Sequence, residues 1–400
     1  MMKSIAWTSI WINFAMRPAT AFLRFGGAGL HRPTRHESAM LLLASSSSSL
    51  AALAASSSKS FSASPSRITQ IMQEESEAEV LKLKEFYDSM RGDSATKAPL
   101  VLTEKARVVE FVKNEIDFVL FDCDGVLYRS PDPAPGAQEC IQNLIAQGKR
   151  IYFVTNNAAS NRKQLKEKLS SILKLDCLSE EMMVGSAFST AQYLKQSILD
   201  KKGSGRLFVI GSTGLCDELR QIGFHVIEGA DKPSMTRDEL ADYEFDEKPI
   251  DAVVVGHDID LNFRKLCIAN VLLQRNPDAE LVATNLDAFD LVGGDGRHIP
   301  GNGGSVKFLE HTSGRTAVNC GKPSKLLAEL LDSLYGLDTS RALFVGDRLD
   351  TDIRFGMDTG MHSALVLTGV TTSQQMKTLG GGSSEGPLPS MIIPHVGFLA

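Results

Sequence analysis

Two aspartates, Asp122 and Asp124, close the apolar run in FVLFDCDGVLYRS, residues 118–130. Ending a buried strand on two carboxylates that repel each other calls for a cation between them or a reaction that uses both. The two-residue period of a strand puts both side chains on one side, and Gly125 allows a sharp exit. A third carboxylate, Asp347, ends the apolar run in ALFVGDRLDTDIRFG, and Asp352 follows in the same stretch. Asp122, Asp124 and Asp347 together offer hard oxygen ligands suited to Mg2+, a cation that keeps several of its waters. Asp352 also suits a helix N-cap. Two further strand ends carry groups fit for an anion. Thr155, in RIYFVTNN, precedes a helix rich in Lys and Arg. Its hydroxyl and the free backbone N–H groups there can hold a phosphate oxygen or cap the helix. Lys322, in VNCGKPSKLLAELL, leaves a strand just before Pro323 opens a helix. It either delivers a point charge to a phosphate or carboxylate or stays solvated at the surface. Acid pair, hydroxyl, lysine and acid fall at four strand ends in this order, and independent accidents explain that poorly.

The elements that must position them read as follows. From residue 116 onward, short apolar runs such as IDFVLF, RIYFVT, RLFVIG, IDAVVVG, RALFVG and SALVLT alternate with amphipathic stretches such as NRKQLKEKLSSIL and SKLLAELLDSLY. Near-continuous Val, Ile, Leu and Phe runs predict strands buried on both faces. The expected fold is therefore α/β, a doubly wound parallel-sheet (Rossmann-like) core. Ligands in such sheets sit at the carboxyl ends of strands. A long insertion between Thr155 and Lys322 holds a second set of strands and helices, so an inserted α/β cap domain is expected at 199–316. The core then comprises 115–198 and 317–400. Residues 74–114 are charged and helical in pattern, a helical N-terminal extension.

Composition bounds the remaining choices. The chain is 43% hydrophobic and 22% charged, ordinary for a globular protein, and its net charge of −6 argues against general nucleic-acid binding. Residues 1–73 hold seven Lys or Arg against one acid, Glu37, and are rich in Ser and Ala. They read as a disordered or targeting segment. SIAWTSIWINFAM is long enough only for a signal-type apolar region, so no membrane association is expected of the mature form. Organelle import follows, to the plastid ahead of the mitochondrion; without a targeting role for the segment the protein is cytoplasmic. The six cysteines form no CxxC pair and suit reduced thiols. Strand alternation aims Cys123 away from its flanking aspartates.

The stretches FDCDGVLYR, GKRIYFVTNNAASNR, CGKPSK and FVGDRLDTDIRFG resemble those of haloacid-dehalogenase-superfamily phosphatases, in the branch of 4-nitrophenylphosphatase-like enzymes that includes phosphoglycolate phosphatase. The resemblance covers roughly 100–375. It implies that Asp122 is the nucleophile and Asp124 the general acid and base. It places Mg2+ on Asp122, on the backbone carbonyl of Asp124 and on Asp347. Thr155, Asn156 and Lys322 are implied to hold the phosphate oxygens, with Asp352 steadying the lysine and the metal waters. A dehalogenase would not need Asp124, because a halide leaves without a proton. In the cap, Asn285 and Asp287 fit the family's Thr-Asn-x-Asp pattern. Asp290 stands at or beside the histidine of pyridoxal-phosphate phosphatases, which weakens that substrate. Arg297 and His298 are candidates to face a small carboxylate, and His257 reads as a surface histidine. The expected substrate is a small phosphorylated metabolite, 2-phosphoglycolate first, with pyridoxal phosphate, glycerol phosphate or aryl phosphates as the alternative. A homodimer through the cap is a further implication.

Overall fold

The central strands of the core sheet divide their side chains between two apolar layers. We analysed a computed structural model that describes residues 65–90, 98–229, 235–292, 297–380 and 386–400, all within one compact unit, Ser57–Ala400. The strands in chain order are β1 (Leu100–Val101), β2 (Phe118–Phe121), β3 (Tyr128–Arg129), β4 (Asp132–Pro133), β5 (Arg150–Thr155) and β6 (Met183–Gly185). The insertion contributes β7 (Arg206–Ile210), β8 (His225–Glu228), β9 (Ala252–Val255), β10 (Glu280–Ala283), β11 (Phe289–Val292), β12 (Arg297–Pro300) and β13 (Val318–Asn319). The chain ends with β14 (Ala342–Gly346), β15 (His362–Val366) and β16 (Met391–Ile393).

Along β2, Val119 and Phe121 enter one apolar cluster while Phe118 and Leu120 enter the other. On β14, Leu343 and Val345 oppose Ala342 and Phe344 in the same way. Both faces are dry, which is why these runs carry no polar alternation. Burying each Phe or Leu contributes about 1.5–3 kcal/mol.

The core sheet is parallel in every pairing, in the order β1-β16-β15-β14-β2-β5-β6. Leaving aside the edge strand β1, this is the doubly wound order that reverses between β2 and β14. That reversal opens a crevice at the carboxyl ends of two strands whose crossovers run in opposite directions. Asp122 follows β2 and Asp347 follows β14. The insertion folds as a second parallel sheet, β13-β10-β9-β7-β8, with a β11–β12 hairpin in antiparallel register, Phe289 opposite Pro300.

Two boundaries differ from the sequence reading. The cap sheet continues to Asn319, because β13 pairs with β10 through Val282–Val318 and Ala283–Asn319. The N-terminal helix spans Pro65–Met90 and so crosses the boundary expected at residue 73. Its Met72, Val80, Leu83 and Tyr87 form a buried stripe at helical spacing, and Tyr87 donates to the Met376 carbonyl at 2.8 Å. A strand, β1, and a helix, Lys105–Glu115, complete the extension. The rest of the expected targeting segment, 1–64, lies outside the described residues. No helix among the described residues is long and apolar enough to cross a membrane.

Candidate active site

The ammonium of Lys322 is the centre of the site. It is buried, and it donates to Asp122 Oδ1 at 2.5 Å and to the Val154 carbonyl at 3.0 Å. Its Nζ lies 2.8 Å from Asp352 Oδ1. Lys322 arrives on the return crossing from cap to core. Ser324 caps the next helix, Lys325–Tyr335, so Pro323 sits just outside that helix rather than opening it. Asp122 is 8% exposed, and its backbone N–H bonds the Val345 carbonyl at 2.9 Å, which fixes the end of β2 to β14. Asp352 turns back on the strand end: its Oδ2 accepts from the N–H groups of Asp347 and Arg348, each at 3.0 Å. Asp347 Oδ2 accepts from Val370 N–H at 2.6 Å.

Carboxylate oxygens of Asp122, Asp347 and Asp352 lie within 4.8 Å of one another, all buried. Burial pushes the Asp122 carboxyl up to about 7, helped by the neighbouring Asp352 and Asp124 and opposed by Lys322. Asp347 is raised too, by burial first and then by Asp352 and Asp122. Three buried carboxylates and one ammonium sum to a charge of −2 when ionised. A divalent cation offsets that charge, and carboxylate oxygens suit a hard one. The residues present therefore fit a divalent metal ion. Asp352 is the weakest candidate ligand of the three, because both of its oxygens already accept hydrogen bonds.

Asp124 departs from the expected shared face. Its side chain is 56% exposed and lies outside the carboxylate cluster. Tyr128 donates to Asp124 Oδ2 at 2.9 Å, and Lys168 Nζ lies 3.8 Å from Oδ1. Strand alternation stops applying at Phe121, where β2 ends, and Gly125 at φ +83° turns the chain. The backbone carbonyl of Asp124 remains the part of this residue assigned to the metal by resemblance. Cys123 is buried between the pair, and burial holds its thiol well above the ordinary range, which disfavours thiolate chemistry.

Thr155 ends β5 as expected, buried, its Oγ1 accepting from Asn157 N–H at 3.2 Å. The Asn156 side chain does something else than expected. Its Oδ1 accepts from Lys322 N–H at 2.8 Å, while Nδ2 donates to Asp287 at 2.9 Å and to the Lys322 carbonyl at 3.3 Å. That amide is committed to joining core, crossing strand and cap, which leaves the Asn156 side chain no free donor or acceptor role of the kind expected. Asn285 donates to the Asn156 carbonyl at 2.8 Å and accepts from Asp287 N–H at 3.1 Å. Burial raises the Asp287 carboxyl, opposed by Arg348. The cap's Asn-x-Asp pair is therefore tied to Asn156 of the core. Arg297 and His298 lie on β12, both exposed. His298 stacks on Phe289, ring centres 4.1 Å apart. His257, expected at the surface, is half-buried, with Nδ1 3.6 Å from Asp290.

The sequence reading did not single out Tyr128, Lys168, Gly369 or Arg348. Tyr128 sits in FDCDGVLYR and Arg348 in FVGDRLDTD, so proximity to the aspartates was the available signal. Gly369 gave none.

The haloacid dehalogenase-like hydrolase family model matches residues 119–225, and an HAD-hydrolase-like model matches 319–396. The first match covers the start of the core and runs into the cap as far as β8, the second covers the core after the cap, and together they contain Asp122, Thr155, Lys322 and Asp347. The chain belongs to the haloacid dehalogenase-like hydrolase family. Among relatives, "Phosphoglycolate phosphatase 2" of Arabidopsis thaliana is 34% identical over 264 residues, 66% of this chain and 86% of the relative. "Glycerol-3-phosphate phosphatase" of Gallus gallus is 37% identical over 282 residues, 70% of this chain and 88% of the relative. A solved p-nitrophenyl phosphatase from Archaeoglobus fulgidus superposes with a TM-score of 0.59 at 27% identity, covering 71% of this chain and 98% of that one. This chain is a phosphoric monoester hydrolase of that family.

Proposed function

We propose that the protein hydrolyses 2-phosphoglycolate to glycolate and phosphate, with Asp122 as nucleophile and Mg2+ as the metal. The observation that carries the catalytic part is the buried set of Asp122, Asp347, Asp352 and Lys322 at the point where the strand order reverses. Asp122 attacks phosphorus; the new O–P bond forms as the bond to the leaving oxygen breaks. Asp124 gives that oxygen its proton and then takes one from the water that cleaves the aspartyl-phosphate. Tyr128 and Lys168 orient the Asp124 carboxylate from outside the cluster. Lys322 and Thr155 hold phosphoryl oxygens, and Asp352 holds Lys322 against Asp122. Asp122, Asp347 and the backbone carbonyl of Asp124 would hold the ion, whose charge would let an anionic carboxylate meet an anionic phosphoryl group.

The substrate rests on two supports: relatives named as phosphoglycolate phosphatases, and Asp290 at or beside the position where pyridoxal-phosphate phosphatases carry histidine. The alternative, a broader phosphatase acting on glycerol phosphate, pyridoxal phosphate or aryl phosphates, is favoured by the glycerol-3-phosphate phosphatase relatives. Phosphate release measured across this panel with Mg2+ and with other divalent ions decides both points. A pyridoxal-phosphate kcat/KM well above that for phosphoglycolate reverses the order, and substantial turnover by Asp122→Asn refutes the nucleophile.

Import into a plastid is likewise our reading, carried by the basic, Ser-rich residues 1–64 that precede the helix from Pro65. Fusing that segment to a fluorescent protein tests it. Homodimerisation through the cap fits an exposed apolar patch of Ile259, 90% exposed, Phe263 and Phe308. Light scattering on Phe263→Asp reads it out; an unchanged mass rejects that face.

A further inference from the structure

Arg348 follows Asp347 directly, yet its side chain reaches the cap. Its Nη1 donates to the Phe289 carbonyl at 3.2 Å, and its guanidinium carbon lies 4.9 Å from the centre of the Phe289 ring. The other two nitrogens bind both oxygens of Asp350, at 3.2 and 3.1 Å. Phe289 then stacks flat on His298, with 1° between the ring planes. Arg348, Phe289 and His298 form one chain of contacts that starts on the core and ends on β12. At its backbone end, Arg348 N–H bonds Asp352 Oδ2 at 3.0 Å, and the other oxygen of Asp352 lies against Lys322. One residue is thus tied by main chain to the lysine-holding aspartate and by side chain to the cap hairpin. Only a planar fork can pair bidentately with Asp350 and stack on Phe289 together; a lysine supplies charge without the plane or the fork.

We infer that Arg348 is a positioning residue: it sets where the β11–β12 hairpin, and with it His298, stands relative to Asp347 and Lys322, and so sets selectivity between small and bulky leaving groups. The inference rests on the phosphatase reading of the Asp122 site and not on the choice of metabolite. Small phosphomonoesters depend on the hairpin standing close, because little of the substrate lies beyond the phosphate. An aryl phosphate fills the space itself and carries a better leaving group.

The test compares full-length wild type, Arg348→Met, Arg348→Lys, Phe289→Leu and the Arg348→Met/Phe289→Leu double variant. The readout is the ratio of kcat/KM for 2-phosphoglycolate to that for p-nitrophenyl phosphate. We expect Arg348→Met to lower the ratio at least tenfold, mainly by raising KM for the smaller substrate. Arg348→Lys and Phe289→Leu move it the same way. The double variant falls no more than about twofold below Arg348→Met, because both changes break one chain of contacts. Amide exchange in β11 and β12 rises in Arg348→Met while β2 and β14 stay protected. A constant ratio, with both activities and the melting temperature falling in proportion, makes Arg348 merely structural and overturns the inference; so does unaltered exchange in the hairpin. Absence of phosphatase activity in the wild type refutes the phosphatase reading instead, and the exchange measurement still decides the role of Arg348.

Discussion

Replacing Gly369 with alanine adds one methyl group where the Asp347 carboxylate already lies. A Cβ built there would be 2.5 Å from the Asp347 Cβ and would overlap the carboxyl group. Carbon atoms rest at about 3.5 Å or more, so one partner must retreat by about 1 Å. The turn has little freedom to do so. Val370 N–H donates to Asp347 Oδ2 at 2.6 Å, Thr371 N–H donates to the Asp347 carbonyl at 3.0 Å, and Thr368 Oγ1 donates to the Gly125 carbonyl at 2.6 Å. Asp347 therefore moves, or its bond to Val370 breaks. A displacement of about 1 Å in a reacting constellation costs about 100-fold in rate, equal to about 2.7 kcal/mol of barrier. The stability loss from overpacking is about 1–3 kcal/mol, a fall of several degrees in melting temperature for a chain of this size. Steady-state hydrolysis of p-nitrophenyl phosphate, with Mg2+ titrated at each substrate concentration, separates the two effects. The expected result is a kcat about 100-fold lower, a higher Mg2+ concentration for half-maximal rate, and an unchanged circular dichroism spectrum. If Gly369→Ala keeps more than half of the wild-type kcat at the same Mg2+ midpoint, the position of Asp347 does not limit turnover and its place in the metal site fails.

Lys322→Met leaves Asp122 and Asp352 buried without their shared ammonium, and removing one partner of a buried pair costs about 3–5 kcal/mol. Thermal melts should show a less stable variant that Mg2+ rescues by more degrees than it adds to wild type; equal Mg2+ responses would count against a common charge site. His395 supplies a pH prediction remote from the chemistry. Its ring is buried beside Phe398, with Glu77 of the N-terminal helix 3.5 Å from Nε2. Burial lowers its pKa below 6.5, with Glu77 opposing. The unfolded chain then holds a proton that the folded state gives up, so this contribution is intact above pH 6.5 and lost as pH falls below it. The melting temperature should drop more steeply between pH 7 and 5.5 in wild type than in His395→Gln, and parallel curves would exclude the histidine as the cause.

What the sequence could disclose was set by how each contact is made. Strands dry on both faces must be written as apolar runs, so Val119, Phe121, Leu343 and Val345 announce themselves, and the polar residue that ends each run is conspicuous. Asp122, Thr155 and Asp347 were legible for that reason, and Lys322 through its place just before Pro323 and a strongly amphipathic helix. The behaviour of Asp124 was not, because it depends on the turn at Gly125 after alternation has ended. Two-residue β13, half-buried, carries too little apolar signal to fix the cap boundary. The helix was legible from residue 74 onward, but its start at Pro65 was hidden by a different cause: the Ser and Ala before it match a targeting composition, and Met72 gains meaning only against the core that covers it. Contacts across the core and cap were the least legible. Asn156 finds Asp287 across 131 positions, and Arg348 finds Phe289 across 59. Neither distance leaves a periodicity or a local motif. Both contacts nevertheless start one residue after a strand-end group of the site, Thr155 and Asp347. The cap is thus anchored to the same backbone that carries the chemistry, so a change in cap position is felt at Lys322 through the two hydrogen bonds between its main chain and the Asn156 amide, and at Asp352 through the one from Arg348 N–H.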